Sequence, residues 1–322
     1  MDIFSLVLQQ MLMMFSFIVI GFFLRKKKIL PEDSDKALSR LETYLLVPAL
    51  TFYNQITNCN VDTLRENARF VLYGGAVFIA GLILAQPLAA LFVKNVRDDV
   101  DRIYQRNIYR YAMSFSNYGF IGNFIVLGIW GQEGLFKYLL FCFIITLFCN
   151  SWGLFILIPK NKGVSLGKNI IKGLASPPMI ALVAGCIGGL LNLSGYIPKF
   201  LMNMLSSASN CMGPIAMILA GFVIGGYNIK SLIFEKKVYI ASIVRLVLIP
   251  GAMLTTLLLF GVDKEVLAFI LVAFASPLGL NTIVFPAAYG GDTKTGAAMA
   301  LISNALGVIT IPLMYYVFIV LF

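Results

Sequence analysis

Long apolar runs recur along this chain from Phe4 to Phe322, and the hinges between them hold almost all of its lysine and arginine. A helix rising about 1.5 Å per residue needs about 20 apolar residues to cross a hydrocarbon core of roughly 30 Å. Ten segments meet or approach that need: Phe4–Leu24, Ala37–Ile56, Phe70–Val93, Tyr109–Trp130, Phe136–Ile158, Pro178–Leu193, Phe200–Gly226, Val238–Phe260, Val266–Tyr289 and Gly296–Phe322. With 59% hydrophobic and 12% charged residues, the chain carries more apolar surface than a soluble core of this size would hide. The expectation is an all-α integral membrane protein. Arg25, Lys26, Lys27 and Lys28 follow the first run instead of preceding it, so it reads as a retained span and not a secretory leader.

With ten spans, the hinges after the odd-numbered ones share one side of the membrane. They hold 19 of the 25 basic residues, in clusters at Arg25–Arg40, Lys94–Arg110, Lys160–Lys172 and Lys230–Lys237, with Lys294. The other side receives Arg65, Arg69, Lys137, Lys199 and Lys264. The positive-inside rule makes the basic hinges cytoplasmic, which puts both termini outside the cytoplasm of a multi-pass cell-membrane protein. The net charge of +10 then faces anionic lipid headgroups and requires no nucleic acid. The five cysteines form no CxxC pair and the chain has no histidine, so neither a metal ligand set nor a histidine-based catalytic triad is expected. Nothing points to an enzyme.

The chain also repeats a pattern. Pro48 and Pro214, Pro87 and Pro250, and the motifs Phe115–Gly119 and Phe274–Gly279 each recur five spans apart, and an odd number of spans inverts orientation. Two inverted five-helix units over 1–160 and 161–322 follow, meeting in the basic hinge Pro159–Lys172, a design suited to alternating access. Segment four carries Ser114, Ser116, Asn117, Gly119, Gly122 and Asn123, and segment nine carries Ser276, Pro277, Gly279, Asn281, Thr282 and Pro286. Proline removes an amide donor and glycine tolerates unusual backbone, so both segments are expected to break near mid-membrane and cross. Unwound backbone survives in a bilayer only where protein or a water-filled cavity surrounds it, and helix N-termini exposed there suit a carboxylate.

Asn117, Gly119, Asn123, Ser276, Pro277 and Asn281 are therefore the candidate solute-binding residues, with Ser116, Asn150, Asn210 and Asn304 as secondary candidates. Arg245 lies inside segment eight, where an arginine at a helix centre costs about 2.5–3.5 kcal/mol. It has two readings, a solute or gating residue and a snorkelling or structural one. No acid falls at the middle of a span. Glu42 reads as an interfacial partner of Arg40 or Lys36, which argues against a simple carboxylate relay and leaves H+, Na+ or no coupling ion open.

Four motifs, Leu46-Val47-Pro48-Ala49-Leu50, Ser116–Asn123, Arg245–Pro250 and Ala275-Ser276-Pro277, resemble the auxin efflux carrier family of permeases in its prokaryotic form, a group related to bile-acid/sodium symporters. Asn123 is followed by Phe124 where that family usually has a proline. The resemblance implies ten helices in a five-plus-five inverted repeat with broken, crossing helices four and nine. It implies a scaffold of helices 1, 2, 6 and 7, through which a homodimer would form, and a transport unit of helices 3–5 and 8–10. The expected function is secondary transport of a small organic anion, malate-like, malonate-like or auxin-like, by alternating access. An anion channel and a sodium-coupled symporter are the alternatives.

Overall fold

The computed structural model describes residues 3–94, 99–159 and 175–321. The expected junction of the two halves, residues 160–172, lies outside them, as do Arg97 and Phe322. The regular structure of the described chain is helical apart from one isolated antiparallel bridge. Helix α1 (Ile3–Lys26) leads to α2 (Ser34–Leu41), a π-turn at Glu42–Leu46 and α3 (Val47–Asn58). Next come α4 (Val61–Phe92), α5 (Val100–Ser114), a π-turn at Tyr118–Gly122 and α6 (Asn123–Phe141). Then α7 (Phe143–Phe148), a π-turn at Cys149–Gly153, α8 (Leu154–Leu157), α9 (Pro177–Leu190), α10 (Lys199–Gly225) and α11 (Ile229–Ile233) follow. The remainder is α12 (Lys236–Ile243), a π-turn at Val244–Leu248, α13 (Ile249–Leu259), α14 (Lys264–Phe274), α15 (Asn281–Tyr289) and α16 (Lys294–Tyr315).

The architecture corrects the ten-span reading. Among the described residues six helices are long and apolar enough to cross a membrane: Ser5–Lys26, Val61–Phe92, Tyr118–Phe141, Lys199–Gly225, Lys236–Leu259 and Lys294–Leu321. The other apolar segments are short, charged or divided. Pro177–Leu190 has 14 residues, about 21 Å of helix, well short of the roughly 30 Å core. Phe143–Leu157 is a shorter apolar helix, the second expected span runs through a π-turn with Asp35, Lys36, Arg40 and Glu42 in or just before its first half and is not among the six, and the ninth falls into α14 and α15. A hydropathy window averages across such breaks and counts them as crossings. The inverted five-plus-five repeat falls with the count. Its proline matches also fail locally: Pro48 and Pro250 each open a helix just after a π-turn, whereas their supposed counterparts Pro214 and Pro87 lie inside continuous helices.

Local chemistry explains several element ends. Asn60 and Thr63 form a reciprocal capping box that starts α4, with the Thr63 amide donating to Asn60 Oδ1 at 2.8 Å and the Asn60 amide to Thr63 Oγ1 at 2.9 Å. Gly290, at φ 75°, ends α15 in the left-handed conformation. Small residues then set how closely helices approach, because in lipid the apolar effect does not by itself pull them together. A Cβ on Gly21 would strike the Ile218 carbonyl, and one on Gly221 the Ile18 carbonyl, so α1 and α10 pack backbone to backbone. Gly185 lies against Phe52 and Gln55, and Gly188 against Ile56, which seats α9 on α3. Since α3 also packs on α10, these four helices make one panel.

The two ends of the bundle differ in charge. At one, Lys26 Nζ donates to the Tyr227 carbonyl at 3.3 Å, and the Tyr227 hydroxyl lies 2.8 Å from Thr293 Oγ1, just before Lys294 opens α16. Lys236, Lys237, Asp292 and Lys294 share a pocket there, and Lys237 shares a second with Lys94 and Arg102. At the other end acids and bases pair: Arg69 with Asp263 at 2.7 Å, and Lys137 with Glu265 at 3.1 Å.

Candidate solute-binding site

The chain unwinds at two places that meet inside the bundle. Helix α5 ends at Ser114, Phe115 is extended, and helical structure resumes only at Tyr118. Helix α14 ends at Phe274 and α15 begins at Asn281. Between these ends Ser116 and Leu278 form the antiparallel bridge, and the Asn117 amide donates to the Pro277 carbonyl at 2.7 Å. Ser116 Oγ donates to the carbonyl of Ala273 at the end of α14. The Ser303 hydroxyl accepts the Leu278 amide at 3.1 Å, so α16 also supports the unwound stretch. A Cβ on Gly279 would lie 2.8 Å from the Phe115 carbonyl, which makes glycine a condition of the crossing. Backbone groups freed by the breaks are thus partly satisfied across the two segments, as burial demands.

Beside this crossing lies a cavity of about 90 Å³. Leu50, Leu182 and Met212 of the α3, α9 and α10 panel form one wall. Ser116, Asn117, Gly119 and Asn123 face them, with Asn150 and Asn281. Six of the residues selected from sequence therefore share one cavity. A largely apolar surround with a few converging polar groups is the usual make-up of a small-molecule site. Asn117 is 2% exposed, and neither side-chain atom of its amide has a hydrogen-bond partner among the described residues. Asn123 Oδ1 is likewise unpartnered. Asn281 is held in place: its Nδ2 donates to the Tyr111 hydroxyl at 2.8 Å and to Cys149 Sγ at 3.3 Å. Nothing lies within 4 Å of the position a Gly119 side chain would take, which leaves that backbone open. The starts of two helical segments, at Tyr118 and at Asn281, both border the cavity.

Other selected residues lie elsewhere. Ser276 and Pro277 belong to the crossing itself, and the Ser276 hydroxyl returns to the Val272 carbonyl at 2.6 Å. Asn210 lines an adjoining pocket that shares Leu50, Phe120, Asn123 and Met212 with the first. Asn304 is buried and donates to the Ala300 carbonyl at 2.6 Å. Arg245 is 1% exposed on the π-turn before α13, with its guanidinium carbon 5.1 Å from the centre of the Phe274 ring, outside the residues that line the cavity.

Sequence reasoning missed Glu42. It lines the same cavity and is 0% exposed, and neither carboxyl oxygen has a partner among the described residues. Arg40 and Lys36, its expected partners, are exposed. The available signal was an acid six residues before Pro48, the single charge in the run from Leu41 to Leu50.

Comparison with known proteins agrees with this architecture. The profile of the family described as membrane transport protein matches residues 6–315. The uncharacterized transporter MJ1031 of Methanocaldococcus jannaschii is 27% identical over 310 residues, covering 92% of this chain and 94% of the relative. The uncharacterized transporter YfdV of Escherichia coli strain K12 is 21% identical over 313 residues, covering 93% of each. A multi-pass helical bundle with a cavity beside two interrupted helices, matched along nearly its full length, belongs to the membrane transport protein family of auxin-efflux-carrier-like permeases.

Proposed function

We propose that the protein is a secondary transporter that moves a small organic anion by alternating access, binding its carboxylate at the crossing. The observation that carries this reading is the Asn117 amide, buried in the cavity with donor and acceptor both unused. An unpaired buried amide costs about 1–3 kcal/mol, which a guest able to hydrogen-bond would recover. Gly119 gives that guest access to backbone, and the two helix starts add partial positive charge where a carboxylate would sit. In this reading Asn117, Asn123 and Asn281 contact the solute, and Ser276 and Pro277 hold the crossing.

The panel of α1, α3, α9 and α10 would serve as a scaffold, and the elements bearing the crossing would move against it, with the cavity at the boundary between them. The basic end, joining Lys26, Tyr227 and Lys294, would face the cytoplasm, and both ends of the described chain would then lie on the opposite side. Kinship of fold with bile-acid/sodium symporters belongs to the same proposal and is supported by the crossed interruptions.

Counterflow in proteoliposomes tests the reading. Vesicles preloaded with malate, malonate or an indole acid should accumulate the same labelled solute from outside. Large single-channel currents without exchange would overturn it.

A further inference from the structure

We propose that Glu42 carries the coupling proton, so that the anion crosses together with H+. This rests on the carrier reading above and adds a site within it. Three observations support it. Glu42 is fully buried, both of its oxygens lack partners among the described residues, and it lines the cavity that holds Asn117 and Asn281. An isolated ionised carboxylate in such surroundings is so unfavourable that the group takes up a proton instead.

Among the described residues, the surroundings provide no cation to hold it ionised. Ion pairs occur elsewhere in the chain, and none among the described residues includes Glu42. Helix α2, on its N-terminal side, bears Asp35, Lys36 and Arg40, and both bases are exposed. Helix α3 offers only Tyr53, and α9 only Cys186. Helix α10 offers Cys211 and Lys199, and Lys199 lies more than three turns from the cavity residue Met212. Across the cavity the ionisable groups are Tyr118, whose hydroxyl donates to Thr146 Oγ1 at 3.4 Å, and Cys149, which is bound to Tyr111 and Asn281.

Coupling follows from charge. An ionised Glu42 repels an anionic guest in the same cavity, and a neutral one does not. Anion binding therefore favours the protonated carboxyl, and protonation favours the anion by the same factor. A proton from the side to which the cavity opens forms the O–H bond of the Glu42 carboxyl. On the other side that bond breaks to water as the anion leaves. One proton and one solute move together, and no electrons are exchanged.

Two measurements test this. The first requires no solute: infrared difference spectra between acid and alkaline pH on reconstituted protein. Above the carbonyl band of the solvated Asp and Glu, the wild type should show the higher-frequency stretch of a buried carboxyl that titrates, and Glu42→Gln should lack that component. A wild type without that band, or a variant that retains it, overturns the proposal. The second uses whichever labelled acid of the counterflow panel the wild type exchanges. An inward proton gradient should drive its accumulation in the wild type, and Glu42→Gln should lose that accumulation by about tenfold or more. Wild-type affinity should fall by up to about tenfold per pH unit on the alkaline side, one proton being linked to each anion, and the variant should respond flatly. Gradient-driven accumulation that survives in Glu42→Gln, or that responds to sodium and not to pH, overturns the proposal. If Glu42→Gln does not insert, Glu42→Asp keeps an ionisable group and must keep a pH response. No counterflow with any acid would instead defeat the carrier reading and leave the infrared result to judge Glu42 alone.

Discussion

Glu42 and Arg245 occupy the same kind of backbone and meet opposite fates. Each is almost completely buried, and each sits on a π-turn that ends two residues before a proline, Pro48 in one case and Pro250 in the other. Proline clashes with the carbonyl four residues back and offers no amide, and a π-turn just before it absorbs the misfit while keeping the helix continuous. Only the settings differ. Glu42 faces the cavity and joins no ion pair among the described residues, whereas Arg245, whose Nε and Nη1 also lack hydrogen-bond partners there, lies against the face of Phe274 at the end of α14. A carboxylate can become neutral by gaining a proton, but a guanidinium stays charged in any protein setting, and a desolvated cation–π contact offsets about 2 kcal/mol of its burial. A buried acid beside the cavity is thus a switch. A buried base behind an aromatic ring, next to the C-terminal end of a half-helix, is expected to act as a fixed support for the Ser276–Pro277 crossing.

The largest expected effect comes from removing that support. Arg245→Ala should lower the maximal uptake rate by about a hundredfold, since a misplacement of about 1 Å at a remote site is enough for such a loss. The apparent KM should stay within about threefold, because Arg245 lies outside the cavity lining. Initial-rate uptake in proteoliposomes matched for inserted protein separates the two quantities. A rise in KM at constant maximal rate would mean that the guanidinium touches the solute, and the contrast between the two π-turns would collapse.

How far this was legible in the sequence differs between the same two residues. Arg245 announced itself, because a base in an apolar run is conspicuous whatever surrounds it. Glu42 did not, since Lys36 and Arg40 lie close along the chain and suggested an interfacial pair. Position along the chain does not report direction: residues two apart on a helix do not face each other. The polar small-residue clusters at Ser116–Asn123 and Ser276–Asn281 showed where the backbone would open, because their composition conflicts locally with a continuous helix. The number of crossings was not legible. Hydropathy responds to composition over a window and is blind to the break at Ala275–Leu280 that divides the ninth segment and to the shortness of Phe143–Leu157 and Pro177–Leu190. Gly185 and Gly188, which let α9 seat on α3, carry no such signal in the sequence.

A smaller loss is expected on the cavity side. Asn117→Ala removes a buried amide that makes no side-chain hydrogen bond among the described residues, so thermal stability should hold or rise by up to about 1–3 kcal/mol, the cost of leaving that amide unpaired. Solute affinity should fall by about tenfold, the value of one hydrogen bond to a charged group. This reverses the Arg245→Ala pattern, with binding lost and maximal rate largely kept, and binding isotherms beside uptake rates would show it. Equal losses in both variants would erase the distinction between contact and support. Gly279→Ala probes the link between them. Its new methyl would press on the Phe115 carbonyl at 2.8 Å and on the Tyr111 ring at 3.1 Å, and overpacking of that kind costs about 1–3 kcal/mol. Thermal unfolding in detergent should register it, and an unchanged midpoint would show that the crossing is looser than its geometry implies.

The smallest expected effect is the most pointed for Glu42. Arg40 is exposed, two residues from Glu42 and on a different helical face. Arg40→Gln should shift stability by less than about 0.5 kcal/mol, as surface substitutions do, and should leave the pH dependence of solute exchange where it was. If Arg40 instead swung inward to pair with the carboxylate in another conformation, its removal would make Glu42 harder to ionise, and the alkaline fall in exchange would move to higher pH. A displaced profile would therefore make Glu42 half of a hidden ion pair, and an unmoved one would leave it alone in the cavity with its proton.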